Sequence, residues 1–354
     1  VPSIRRAGLL AGLTVAPLAA AFRFAHVYRA RAGFPNRRPP RFSPTDFGLP
    51  FEDLVVRSDA GELPAWFIPA RDGAPGPGVV LVHGWDSARD RTLPTARFLH
   101  AAGFHVLTFD VRGNGANPAE DLPVSTGEYG ADAAAAFAAL VTRPEVTGGA
   151  LLGHSLGGVG AILAAAADPR VAAVVSVSAP SDQRRLVRQT FRLANLPFPG
   201  PIATPLAWLT SRVYVRPRGH GLRAISARDA IAHFDGAVLI AHGRDDEVMP
   251  VEHAGRIVAA ANAARRRSAS PAPVELLIVE SGGHSWSYEN PTFRRTVAAF
   301  LARVLDGPLD PDAAADAAEA VDARRLTDPE TPLVGDRAAG PALAMVGRSP
   351  AQEP

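Results

Sequence analysis

Ser155 is the centre of Gly153-His154-Ser155-Leu156-Gly157, inside the run ALLGHSLGGVG from Ala150 to Gly160. A serine hydroxyl attacks a carbonyl only if a base takes its proton and only if it stands clear of its own backbone. Glycines two positions to either side suit a sharp turn too crowded for larger residues. Further along, His284 lies in Ser281-Gly282-Gly283-His284-Ser285, and Asp245 and Asp246 lie in HGRDDEVMP, His242 to Pro250. Nucleophile, acid and histidine thus follow one another along the chain. Together they are the parts of acyl transfer: an attacking oxygen, a proton acceptor, and a carboxylate that orients the acceptor. Adjacent aspartates cannot both point at one imidazole, and Asp182 offers a third position for the acid. The tetrahedral intermediate needs fixed donors, and the backbone N–H of Leu156, directly after the serine, is one. His83, His154 and His242 sit beside glycines at the ends of apolar runs and read as turn-shaping residues. His220, His233 and His253 have no motif around them.

The elements that must position these residues follow from apolar patterning. Glu52 to Arg57 and Leu63 to Ile68 flank Ala60-Gly61 and predict a hairpin. Gly78 to His83, His105 to Asp110, Ala150 to Gly153, Val171 to Val177, Ala237 to Ala241 and Val274 to Val279 read as buried strands. Helices are predicted at Thr92 to Ala102, Thr126 to Thr142, after Ser155 to about Ala167, Glu252 to Arg267 and Asn290 to Leu305. Strands alternating with helices imply a mostly parallel, doubly wound α/β sheet covered on both faces. Ser155 would then close one central strand, with the aspartates and His284 following later ones. Residues 181–234 break this rhythm with five prolines and many large apolar side chains, too apolar to remain solvated.

Four stretches in order, the HGW of His83 to Trp85, the Ser155 turn, HGRDDEVMP and GGHS, make the chain from about Phe51 to Leu305 resemble the α/β-hydrolase family. The resemblance implies a sheet with N-terminal hairpin strands and a cap formed by 181–234. The family spacing His-Gly-x-x-Asp-x-x-Val-Pro selects Asp246 as the acid, with Met249 in place of the usual valine. It implies the Trp85 N–H as the second oxyanion donor. Asp110 to Gly115 resembles the family turn Asp-x-Arg-Gly-x-Gly, with Asn114 where histidine is common, and is read as structural. The implied activity is hydrolysis of a carboxylic ester or related acyl bond on a small-molecule substrate through an acyl-serine. Peptidase or thioesterase activity on the same residues is the alternative, as is a non-catalytic, membrane-tethered binding module.

Composition narrows the partners. No cysteine is present, which excludes disulfides, zinc–thiolate sites and thiol nucleophiles. No P-loop lysine, dinucleotide-binding glycine fingerprint or metal-ligand motif occurs, so no cofactor or metal is implied. A net charge of +2 conceals an uneven distribution, since every basic residue is arginine. Residues 1–41 hold eight arginines and no acid, and residues 184–228 hold nine and no acid, on a body that is otherwise net negative. Such segregation points to a surface partner, and an anionic membrane is the expected one. Nucleic acid is not expected, because no zinc-finger, RNP-type or helix-turn-helix pattern accompanies the charge.

Residues 1–41 read as a membrane anchor or signal segment. Arg5 and Arg6 precede the apolar run Ala7 to Phe22, and Ala19 and Ala21 form a small-x-small site of the kind found in exported precursors. That run is shorter than the roughly 20 residues a membrane span needs, and arginines follow it. Gly33 to Pro50 reads as a proline-rich linker. The organisation expected is a segment 1–41, a core in two parts, 42–180 and 235–306, around the insertion 181–234, and an Ala/Pro/Asp-rich tail 307–354. Asp312 to Leu326 is expected to form one helix, with the rest of the tail solvated.

Overall fold

The computed structural model describes residues 2–71, 73–268 and 270–322, with side chains from residue 15 onward. Eight strands form one sheet: β1 (Glu52–Ser58), β2 (Gly61–Ile68), β3 (Gly76–Val82), β4 (His105–Phe109), β5 (Val146–His154), β6 (Val171–Val177), β7 (Ala237–Gly243) and β8 (Val274–Val279). Their spatial order is β1-β2-β4-β3-β5-β6-β7-β8. The hairpin pairs antiparallel, with Ser58 opposite Gly61, and β2 adds antiparallel to β4. All remaining pairs are parallel.

Alternation along each strand divides the core. Val80, Leu151, Val174 and Ile240 face one layer, built from α3 (Thr126–Val141), α4 (Leu156–Ala167) and α8 (Glu252–Ser268). Val79, Leu152, Val175 and Leu239 face the other, built from α2 (Leu93–Ala101), α9 (Pro291–Val304) and α10 (Pro311–Glu319). This period of two on a sheet buried on both faces is why the parallel strands read as continuous apolar runs.

The insertion folds as α5 (Gln183–Leu193), α6 (Gly200–Val215) and the short α7 (Ala227–Ala230). Its prolines do not prevent this. Pro199 precedes α6, Pro201 lies in the first turn, where N–H groups have no intrahelical partner, and Pro205 sits one turn further in. The insertion has its own core, in which Val187, Phe191, Leu206 and Tyr214 pack together.

Three segments differ from expectation. First, a 31-residue helix, α1 (Pro2–Ala32), runs without a break through the small-x-small site. Its second half packs on the insertion: Phe24 meets Phe191 and Phe198 edge-on at 5.5 Å, and the Tyr28 hydroxyl pairs with Thr190 Oγ1 at 2.8 Å. Ala21, Phe24, Tyr28 and Ala32 recur at helical spacing on one face and pack against the insertion's core. Among the described residues no helix is long and apolar enough to cross a membrane. Second, the proline-rich stretch after α1 is tied to the core, with Asn36 donating to Asp86 and the Arg41 N–H donating to Asp90. Third, α10 begins at an Asp310 cap and ends at Glu319, burying Ala314, Ala315 and Ala318. The tail therefore joins the core layer before it ends, and the remainder of the expected helix to Leu326 lies mostly outside the described residues.

Candidate active site

Ser155 stands between β5 and α4 with φ 54° and ψ −121°. A non-glycine residue at positive φ is strained, a cost of order 1–3 kcal/mol that the surroundings must impose. Here they do so through backbone contact. A Cβ at position 153 would lie 2.1 Å from the Gly157 carbonyl oxygen, and one at 157 would lie 2.2 Å from that of Val82. Only glycine fits either site, so the two glycines hold the turn tight. The Ser155 N–H donates to the Val177 carbonyl at 2.8 Å, fastening the turn to β6.

Two loops from the carboxyl ends of β7 and β8 meet it. They pack backbone on backbone: a Cβ at Gly243 would lie 2.2 Å from the Gly282 oxygen, and the Asp245 N–H donates to that same oxygen at 3.0 Å. His284 Nε2 lies 3.1 Å from Ser155 Oγ, and His284 Nδ1 lies 2.8 Å from Asp246 Oδ2. The other carboxylate oxygen of Asp246 accepts the Met249 N–H at 2.6 Å. His242 Nε2 stands 3.3 Å from Asp246 Oδ2 and donates to the Met249 carbonyl at 2.6 Å. Burial pushes the Asp246 carboxyl upward, but hydrogen bonds from His242, His284 and the Met249 amide outweigh it. The net effect holds the group well below the usual carboxylate range.

The rival acids are placed elsewhere. Asp182 caps α5, accepting the Arg185 N–H at 3.0 Å, and Asp245 is exposed. Among the described residues neither contacts His284. His154 sits beside the serine with Nε2 2.6 Å from the His284 carbonyl, so it braces the loop that carries His284. Burial lowers its pKa to about 4, so it is neutral at pH 7 and donates through Nε2–H.

The Leu156 N–H opens α4, where no intrahelical acceptor exists, and neither it nor the Trp85 N–H has a partner among the described residues. The Gly84–Trp85 peptide is oriented from below. The Val111 N–H donates to His83 Nε2 at 3.0 Å, which puts the ring proton on Nδ1, and Nδ1–H donates to the Gly84 carbonyl at 2.7 Å. The Tyr129 hydroxyl donates to the same carbonyl at 3.1 Å. Because the peptide is planar and trans, pinning its carbonyl aims the Trp85 N–H the opposite way. Sequence reasoning missed Tyr129, since a tyrosine on a predicted helix carries no signal of its own. The Asp110 to Gly115 turn is structural, as expected. The Asp110 carboxylate accepts the Ala116 N–H at 2.9 Å and pairs with Arg89, while Arg112 pairs with buried Asp132.

The family described as "Serine aminopeptidase, S33" matches residues 73–228. An uncharacterized protein of Mycobacterium tuberculosis is 31% identical over 217 residues, covering 60% of this chain and 68% of the relative. In fold, the chain is similar to an esterase of Pyrococcus furiosus, with a TM-score of 0.61 at 20% identity, covering 77% of this chain and 98% of the esterase. It is also similar to the acylaminoacyl peptidase of Pyrococcus horikoshii, with a TM-score of 0.55 at 16% identity, covering 75% and 44%. At such identities the likeness is one of fold. Sheet order, turn and family match together define the class: the chain belongs to the α/β-hydrolase family.

Proposed function

We propose that the protein is a serine hydrolase that cleaves a carboxylic ester or related acyl bond, with Ser155 as nucleophile, His284 as base and Asp246 as orienting acid. The observation that carries the reading is the continuous hydrogen-bonded chain Ser155 Oγ–His284–Asp246 on a strained turn that exists only to expose the serine. His284 Nε2 takes the Ser155 proton as Oγ attacks the acyl carbonyl. The Leu156 and Trp85 N–H groups receive the oxyanion. The imidazolium then protonates the leaving alcohol as the acyl-serine forms. A water, deprotonated by the same nitrogen, releases the acid and restores the hydroxyl.

Residues 181–234 act as a cap in this reading. Gln189 on α5 donates to the Glu247 carbonyl at 3.1 Å, beside Asp246, which supports placing the insertion at the site's edge. The esterase and peptidase folds among the similar structures leave amide cleavage as the second reading. The test is turnover of p-nitrophenyl esters of increasing acyl length against aminoacyl p-nitroanilides. Ester turnover that disappears in Ser155→Ala supports the proposal. Anilide turnover alone would replace it with the peptidase reading.

A further inference from the structure

α1 and the 181–234 insertion share a small core, and around it lie the molecule's most unusual surfaces. From Val15 to Ala20 every residue of α1 is exposed, and Val15 and Leu18 are each 61% exposed. Packing begins only at Ala21 and Phe24. The helix therefore leaves the body as an apolar rod at the level of Phe24, Phe191 and Phe198. Phe198 lies just before α6, whose first turns expose Ile202, and one further turn along Trp208 is 49% exposed with the Arg212 guanidinium 5.7 Å from its ring.

The second observation is charge. Arg184, Arg188 and Arg192 stand at i, i+4 and i+8 along α5, about a quarter turn round the helix from the apolar stripe of Val187 and Phe191. Like charges at this spacing repel and destabilise a helix. If these arginines served to hold the insertion on the acidic body, they would pair with carboxylates. Of the nine arginines from 184 to 228, three do: Arg185 with Asp182, Arg218 with Glu120, and Arg228 with Asp229. Arg184, Arg188, Arg192, Arg212, Arg216 and Arg223 have no carboxylate partner among the described residues. Arg23 and Arg192 are the chain neighbours of the paired Phe24 and Phe191, and both are exposed.

We propose that α1 and the insertion form one docking unit for an anionic membrane surface. The exposed apolar stretch of α1 enters the bilayer, and the unpaired arginines rest on headgroup phosphates. Exposed aliphatic side chains at Val15 and Leu18, an exposed tryptophan at Trp208 and arginines without carboxylate partners supply the three kinds of group a lipid interface takes up. Nucleic acid would match the arginines but not the apolar rod.

The test uses the full chain, because deleting the N-terminal segment would remove Ala21, Phe24, Tyr28 and Ala32 from the core they share with α5 and α6. Co-sedimentation is measured with vesicles of phosphatidylcholine alone and of phosphatidylcholine with about a third phosphatidylglycerol. Anionic vesicles are expected to bind more tightly. Each engaged arginine contributes about fivefold in affinity (about 1 kcal/mol), so Arg184→Gln/Arg188→Gln/Arg192→Gln should lose about 100-fold on anionic vesicles. Leu18→Asp/Phe22→Asp, two exposed positions, should lose binding to both kinds. Equal or negligible binding to the two vesicle types, or an unchanged triple variant, would overturn the proposal. So would displacement from vesicles by a duplex oligonucleotide at equal phosphate concentration, which would identify nucleic acid as the partner. None of these readouts depends on hydrolysis, so the outcome is independent of the proposed activity.

Discussion

Asp246→Asn separates the roles in the candidate site most sharply. The carboxylate accepts on both oxygens, from the Met249 N–H on Oδ1 and from His284 Nδ1 on Oδ2. Asparagine has one acceptor oxygen and one NH₂. If its oxygen stays with Met249, its NH₂ faces Nδ1 and forces the ring proton onto Nε2, where His284 can no longer accept from Ser155. If the amide flips, two donors meet at Met249 and a buried N–H goes unpaired, at about 1–3 kcal/mol. Productive tautomers then fall by about 5- to 150-fold. Even those lack the negative charge beside the imidazolium, and a unit charge at about 4 Å contributes about 4 kcal/mol near a protein surface, roughly a further 10³ in rate. The product is a loss of about 10⁴ in kcat, of the size seen when a serine-protease triad loses its acid. The assay is p-nitrophenyl ester turnover on protein shown by circular dichroism to be folded. Asp245→Asn, at an exposed position, should stay within about threefold of wild type. A loss of under about tenfold in a folded Asp246→Asn, or a crippled Asp245→Asn, would refute the reasoning.

Tyr129→Phe removes one of the two donors that pin the Gly84 carbonyl while leaving His83 in place; kcat should fall about tenfold with little change in KM, since about 1.4 kcal/mol of oxyanion alignment is at stake. An unchanged kcat would mean that His83 alone fixes the peptide. His253 is buried, accepts the Ser181 N–H at 2.9 Å, and has its pKa lowered by burial to about 4. Its depressed folded pKa means the unfolded chain binds the proton first, so the associated stability is present above about pH 6.5 and is lost as pH falls toward 4. His253→Gln should flatten the fall in melting temperature across that window by at most about 3 kcal/mol equivalent; an identical pH profile would remove His253 from the account.

The serine turn and both partner loops were legible because their chemistry demands rare local patterns. Gly153 and Gly157 are forced because a Cβ at either would fall within 2.5 Å of backbone, so they leave a mark in the sequence. The aspartate pair was separable only by loop spacing, and burial of Asp246 beside exposed Asp245 is a tertiary fact. Tyr129 was invisible because its role depends on where α3 sits relative to the β3 loop. The docking of α1 was masked for another reason. Its packing face of Ala21, Phe24, Tyr28 and Ala32 is helical in period, yet it continues directly from a run that is apolar on every side. The tail helix α10 buries alanines, whose small side chains give little contrast between a packed face and a solvated one. Strand order could not be read from local sequence, since parallel pairing is decided by crossovers and not by neighbours in the chain.

The most direct measurement of the central claim is intact-protein mass spectrometry after exposure to a fluorophosphonate, which labels only a serine whose proton is being taken. The account predicts a single adduct, mapped by peptide digestion to Ser155, absent from Ser155→Ala and strongly slowed in Asp246→Asn. No adduct on folded wild-type protein, or an adduct on any other serine, would contradict it.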